Sequence, residues 1–274
     1  MKLLEGKKGL ILGVLNNKSI AWGIAKELAD NGAEIALTYL GEAGEKRVIP
    51  LAQELGANIT LNCDVTKDED IDLVFKVLEE KWGKLDFLVH SVAFSDKNEL
   101  RGHFYNTTRN NFKTTMDISA YSLIALTKRA VPLMEKAGGG SILAMTYYGA
   151  EKVIPHYNIM GVAKAALESI IKYLAADLGP KNIRINAISS GPIKTLAASG
   201  IGGFNYMLKY SELNTPLRRN VTPEDNGKTA LYLVSDMSSN MTGEVLHLDA
   251  GYHVIGMKDP FIENVEVPEG YTGD

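Results

Sequence analysis

The chain has 274 residues, 45% apolar and 23% charged, with 29 basic against 33 acidic side chains and a formal net charge of -4. That length and composition suit one large α/β domain, and the charge balance predicts no basic face for nucleic acid, while leaving room for a local basic patch around a phosphate or an acidic carrier partner. A single cysteine, Cys63, excludes an internal disulfide and suits a reducing cytosol. The start mixes charges with two leucines and no apolar run reaches membrane-spanning length, so a soluble, cytoplasmic chain is expected.

In chain order, 9–14 reads as a short buried strand and 19–29 as a helix, with Ile20, Ile24 and Leu28 at helical spacing and Ala21, Gly23 and Ala25 allowing close approach to a sheet. Strand 34–39, helix 45–55, strand 58–63, the amphipathic helix 67–82 and strand 84–90 follow. Then come a helix over 114–136, strand 141–146, helix 160–178, strand 183–188, a helix over 222–234 with Pro223 at its first position, and a last strand over 241–249. Short apolar strands alternating with helices predict a parallel sheet covered on both faces. The expected fold is therefore a single-domain, Rossmann-like three-layer α/β sandwich around a doubly wound sheet. Residues 1–258 form that domain, with a glycine- and aromatic-containing segment around 193–216 read as a lid over a site or, alternatively, as a surface insertion. The acidic, Pro/Gly-containing tail 259–274 is expected to be loosely held.

The first βα turn, Gly13 to Gly23, lies where nucleotide phosphates rest on a helix N-terminus, although Gly-x-Gly-x-x-Gly is absent. Gly13 could admit a pyrophosphate to the backbone, and Ser19 could cap the helix and donate its hydroxyl; an ordinary tight turn is the alternative. Asp64, after the third strand, could accept from an adenine amino group or serve a turn. After strand four, the small residues around Val92 would let a cofactor lie against the backbone, or simply pack closely. The end of strand two offers no basic residue for a 2′-phosphate, which favours NAD over NADP, with Lys46 and Arg47 a turn later able to reverse that preference.

The chemistry-bearing stretch is Tyr147-x9-Tyr157-x6-Lys164. Tyr157 and Lys164 stand two helical turns apart, so a phenol and an ammonium can face one site. The phenol could stabilise charge developing on a substrate carbonyl oxygen, and the ammonium could hold ribose hydroxyls. Taken singly, either tyrosine could merely pack, and Lys164 could run along the helix surface into solvent. Tyr148 reads as pocket wall or packing, His156 as a surface residue at a helix start rather than a general base, and His90 as a packed strand-end histidine rather than a catalytic one. The histidines and Cys63 show no metal-ligand spacing, so no metal is expected.

Together with Gly13-x5-Ser19-Ile-Ala, Cys63-Asp-Val, His90-Ser-Val-Ala-Phe94, Met116-Asp-Ile-Ser-Ala-Tyr121 and Ser190-Gly-Pro-Ile-Lys-Thr-Leu-Ala-Ala-Ser199, this stretch closely resembles the FabI-type bacterial enoyl-acyl-carrier-protein reductases, a divergent branch of the short-chain dehydrogenase/reductases. The resemblance spans residues 3 to about 257, and its specific mark is Tyr-x6-Lys where ordinary members of the wider short-chain superfamily carry Tyr-x3-Lys. It implies NADH-dependent reduction of a trans-2-enoyl thioester borne by acyl carrier protein, in a homotetramer. It implies Tyr157, Lys164 and Tyr147 as catalytic, with Ser95, Tyr147, Tyr157, Met160 and Phe204 on the substrate. The cofactor, NAD, would meet Gly13, Ser19, Ile20, Leu40, Asp64, Val65, Val92, Lys164, Ile193, Lys194, Thr195, Leu196 and Ala197. Residue 40 is often glutamine in NADH-using relatives and arginine in NADPH-using ones; Leu40 matches neither. A carbonyl reductase or alcohol dehydrogenase of the broader superfamily is the runner-up, and Met160, four before the lysine where a tyrosine would be needed, argues against it.

Overall fold

The computed structural model describes residues 2–196, 198 and 203–258. Among these residues seven strands form one sheet: β1 (Lys8–Leu12), β2 (Glu34–Tyr39), β3 (Ile59–Asn62), β4 (Phe87–His90), β5 (Gly140–Thr146), β6 (Ile183–Ser190) and β7 (Val245–Leu248). Their order is β3-β2-β1-β4-β5-β6-β7 and every pairing is parallel. The helices are α1 (Ile20–Asp30), α2 (Gly41–Glu54), α3 (Asp68–Trp82), α4 (Arg109–Met116), α5 (Ser122–Lys136), α6 (Asn158–Leu178), α7 (Phe204–Asn214) and α8 (Pro223–Val234).

Alternate strand residues feed two separate cores. Leu10, Leu12, Leu88, Ile142 and Ile185 face α3, α5 and α6, while Ile11, Leu37, Phe87, Val89 and Leu143 face α1, α2 and α8. A strand buried on both faces has no polar side to show, which is why these segments read as continuous apolar runs. The expected three-layer, doubly wound architecture is what forms. The strand order reverses between β1 and β4, where Leu12 pairs with His90, so the crevice beyond their carboxyl ends is the switch point at which such sheets bind ligands.

Glycines set the spacing of the layers at two places. A Cβ on Gly23 of α1 would lie 2.2 Å from the Pro223 carbonyl oxygen at the start of α8, and one on Gly227 would lie 2.6 Å from the Gly23 oxygen. The Gly23→Ala variant is expected to lose about 1–3 kcal/mol by forcing these helices apart, seen as a lower urea midpoint; an unchanged midpoint would show that the contact relaxes freely. Gly13, at φ +102, has no room for a side chain because its Cβ would sit 2.1 Å from the Ser91 oxygen.

Several boundaries differ from expectation. The α2 helix begins at Gly41 rather than Glu45, with the Gly41 N–H donating 2.8 Å to Asn62 Oδ1. The helix expected over 114–136 starts at Arg109, where the Thr108 hydroxyl caps Asn111 N–H, and it carries a π-helical turn over Asp117–Tyr121. The last strand is shorter than expected, Val245–Leu248. The 193–216 segment is partly helical through α7, and residues 197 and 199–202 and the tail from 259 onward lie outside the described residues. Thr222 and Asp225 form a reciprocal capping box on α8, with Pro223 at its first position. No helix among the described residues is long and apolar enough to cross a membrane.

Candidate active site

Beyond the carboxyl ends of β1, β4, β5 and β6 lies a cavity of about 560 Å³. Its lining combines the first βα turn (Gly13, Leu15, Ser19, Ile20), the segment after β4 (Ser91 to Ser95, with Lys97 and Leu100) and the β5 end (Met145, Thr146, Tyr147). Tyr157, Met160 and Lys164 come from α6 and the residue before it, and Ser190 to Ile193, Thr195, Leu196, Ala198, Phe204 and Met207 complete the wall. Tyr147, Tyr157, Lys164, Gly13, Ser19, Ile20, Val92, Ile193, Thr195, Leu196, Ser95, Met160 and Phe204 are therefore brought together in the lining of one cavity. Leu40, Asp64, Val65 and Lys194 are outside this lining, and Ala197 lies outside the described residues.

Tyr157 is buried, 8% exposed, and its ring meets Tyr147 edge-on with centroids 4.9 Å apart. The fit depends on Gly149, whose Cβ would lie 2.5 Å from Tyr157 Cδ1. His156 and Asn158, on either side of Tyr157, both have positive φ, and Asn158 Nδ2 donates to the carbonyls of Glu99 and Gly102. Non-glycine residues in that conformation gather at functional sites, where surrounding contacts hold them. Burial, with Tyr147 adding to it, pushes the Tyr157 hydroxyl well above the usual phenol range; burial also raises Tyr147, reinforced by Tyr252 and Asp249. Both phenols therefore keep their protons at neutral pH and can offer them to an acceptor in the cavity.

Lys164 does not run into solvent. It is 6% exposed and its Nζ donates 2.7 Å to the Met145 carbonyl. Burial lowers its pKa to about 8, with Glu168 pulling the other way. His90 is packed, as its strand-end position suggested. Its Nε2 lies 2.7 Å from the Ser122 hydroxyl, which donates to the Ile118 carbonyl inside the π-helical turn, so the ring nitrogen is the donor. Burial, then Lys164, lowers the His90 pKa to about 3, which keeps it neutral.

Two local expectations need correction or narrowing. Ser19 precedes α1 but does not cap it; its hydroxyl oxygen instead accepts from Leu15 N–H at 3.0 Å and Asn16 N–H at 3.1 Å, closing the turn. Asp64 takes the turn role, accepting at Oδ1 from the Thr66 N–H and hydroxyl. At the end of β2, Leu40 is 61% exposed and Lys46 pairs with Glu42 at 2.5 Å. Cavity residues not assigned from the sequence include Lys97, Leu100, Met145, Thr146 and Met207. Of these, Leu100 packs against Tyr157 and Met160 and carries no local signal of its role.

The cavity fits a dinucleotide on three counts. Its volume is that of a small-molecule site. The α1 N-terminus opens onto it with no side-chain cap and no acidic residue in its first turn, which suits a phosphate. A buried ammonium on the far wall offers donors to ribose hydroxyls. No group of three or more His, Cys, Asp or Glu side chains among the described residues could hold a metal ion.

A doubly wound parallel sheet with a tyrosine–lysine pair in the cavity beyond its carboxyl ends is the arrangement that the resemblance to the short-chain dehydrogenase/reductases implies. Comparison with known proteins narrows this. The family model described as Enoyl-(Acyl carrier protein) reductase matches residues 13–253. An enoyl-[acyl-carrier-protein] reductase [NADH] of Rhizobium meliloti is 64% identical over 256 residues, covering 93% of each chain. The solved enoyl-(acyl-carrier-protein) reductase of Anaplasma phagocytophilum in complex with NAD superimposes with a TM-score of 0.90 at 59% identity, covering 94% of this chain and 97% of that one. The Bacillus cereus enoyl-acyl carrier protein reductase, solved with NADP+ and an indole naphthyridinone, gives 0.91 at 46% identity, covering 94% and 100%. The chain belongs to the enoyl-(acyl carrier protein) reductase family.

Proposed function

We propose that Tyr157 and Lys164 divide the work of this cavity, Tyr157 acting on the substrate carbonyl and Lys164 on the cofactor ribose. The activity itself is NADH-dependent reduction of the trans-2 double bond of enoyl-acyl-carrier-protein thioesters, the last step of the fatty-acid elongation cycle. NADH, when bound, supplies the hydride that reaches C3 of the enoyl chain, and C2 of the resulting enolate then takes a proton from solvent to complete the saturated thioester.

The protonated Tyr157 phenol would donate to the thioester carbonyl and strengthen that bond as negative charge develops on its oxygen. Because burial holds the phenol proton tightly, stabilisation by hydrogen bonding fits better than full proton release. Lys164 would donate to the ribose hydroxyls while its charge supports the phenol's role. Tyr147, packed edge-on against Tyr157, would fix the ring and wall the thioester side. Ser95, Met160 and Phe204 would line the acyl path, and Gly13, Ser19, Ile20, Val92, Ile193, Thr195 and Leu196 the cofactor path. Leu40, Asp64, Val65, Lys194 and Ala197 would belong to the outer, adenosine and pyrophosphate portions. The domain would run over 1–258, with 193–216 as the lid, in a cytoplasmic homotetramer served by acyl carrier protein.

The observation that carries this reading is the burial of one phenol and one ammonium in the wall of the same switch-point cavity. Mixing the protein with NADH and a short trans-2-enoyl thioester is expected to remove the nicotinamide absorbance, with ketones giving no loss. Turnover of ketones with none of enoyl thioesters at any chain length would overturn it.

A further inference from the structure

The end of β5 is gripped twice by α6. Lys164 Nζ donates 2.7 Å to the Met145 carbonyl, and Glu168 Oε1 accepts from the Thr146 hydroxyl at 2.7 Å. Met145 and Thr146 are consecutive, both line the cavity, and Tyr147 follows them directly. Lys164 and Glu168, four apart on one helix, lie one above the other on the same face. The Thr146 bond holds the carboxylate against the strand, one helical turn beyond the buried ammonium.

We propose that Glu168 is a positioning residue of the reduction: its carboxylate, pinned on Thr146 one turn beyond Lys164, keeps the buried ammonium charged and seated in the cavity wall. This rests on the reading of Lys164 given above and deepens it. A buried ammonium loses hydration and drifts toward the neutral form unless an anion stands near it. Burial lowers Lys164, and the influence opposing that comes from Glu168. His90, facing Lys164 from β4, is neutral and supplies no anion. Burial raises the Glu168 carboxyl, while the Thr146 hydroxyl, His247 from β7 and Lys172 from α6 favour its charged form; Glu151 from the turn after β5 opposes them and is itself paired with His247 at 2.6 Å. The phenols of Tyr147 and Tyr157 keep their protons and carry no charge toward the lysine.

The sign follows. Lys164 donates as an ammonium below its folded pKa of about 8 and loses that capacity as pH rises through it. Removing the Glu168 charge moves the loss to lower pH. Glu168→Gln keeps an oxygen for Thr146 and deletes the charge; Glu168→Asp keeps the charge. NADH affinity is to be measured by nucleotide fluorescence from about pH 6 to about pH 10 in the wild type, both Glu168 variants and Lys164→Ala.

The alkaline loss of affinity is expected to shift down by roughly half to one pH unit in Glu168→Gln and to return toward the wild-type position in Glu168→Asp. A role confined to structure would weaken binding evenly across pH and leave that limb in place. The Lys164→Ala profile separates two failures. A limb that disappears with the lysine yet stays put in Glu168→Gln overturns the proposal alone. A limb that persists without the lysine overturns the ribose reading of Lys164, and the proposal with it.

Discussion

Tyr157→Phe is expected to slow turnover roughly a hundredfold to a thousandfold, the loss that follows removal of one donor to a developing oxyanion. Phenylalanine keeps the ring that packs on Gly149 and meets Tyr147 edge-on, so the fold and the cavity shape survive the change. What disappears is one hydroxyl whose value rises only as charge gathers on the thioester oxygen. An interaction made mainly in the transition state lowers kcat and kcat/KM together and leaves cofactor binding alone. Steady-state kinetics with an enoyl thioester, beside an NADH titration, reads both quantities. Loss of cofactor affinity matching the loss of rate would move Tyr157 from the substrate to the nucleotide.

Lys164→Ala is expected to fail differently. Its ammonium is buried, holds the Met145 carbonyl and faces the cavity, so under the proposed role its removal takes away charged hydrogen bonds to the ribose. Such bonds are worth about 1.5–3 kcal/mol each, which predicts an NADH dissociation constant raised roughly tenfold to a hundredfold. Turnover falls as well, because the ribose is no longer fixed and the phenol loses a neighbouring positive charge. Unchanged NADH affinity in a folded variant contradicts the ribose role. Far-ultraviolet circular dichroism distinguishes that result from collapse around the orphaned carbonyl.

The doubly wound sheet was legible because each strand is buried on both faces, which leaves an unbroken apolar run between helical periods. Helix starts were less legible where polarity masks them. The stretch Arg109–Lys113 has no apolar stripe, so the helix seemed to begin at Thr114; Thr108, whose hydroxyl accepts from the Asn111 N–H, lacks the Glu or Gln three residues on that would have marked it as a cap. Tyr157 and Lys164 could be paired by spacing alone, since two helical turns put them on one face. The acceptor for Lys164 could not, because it is a backbone carbonyl on β5 and leaves no mark on residue identity. Ser19 shows the converse problem. A serine before a helix reads as a cap, yet the tight turn from Leu15 engages its oxygen first. Leu100 reaches the cavity only because the segment after β4 folds back over Tyr157, a tertiary fact with no local signature.

The division of labour between phenol and ammonium is tested most directly by single-turnover hydride transfer in Tyr157→Phe, with NADH affinity measured on the same preparation. The account predicts hydride transfer slowed at least about a hundredfold and a dissociation constant within about twofold of wild type. Hydride transfer at the wild-type rate, or a slowing explained entirely by weaker NADH binding, would contradict it.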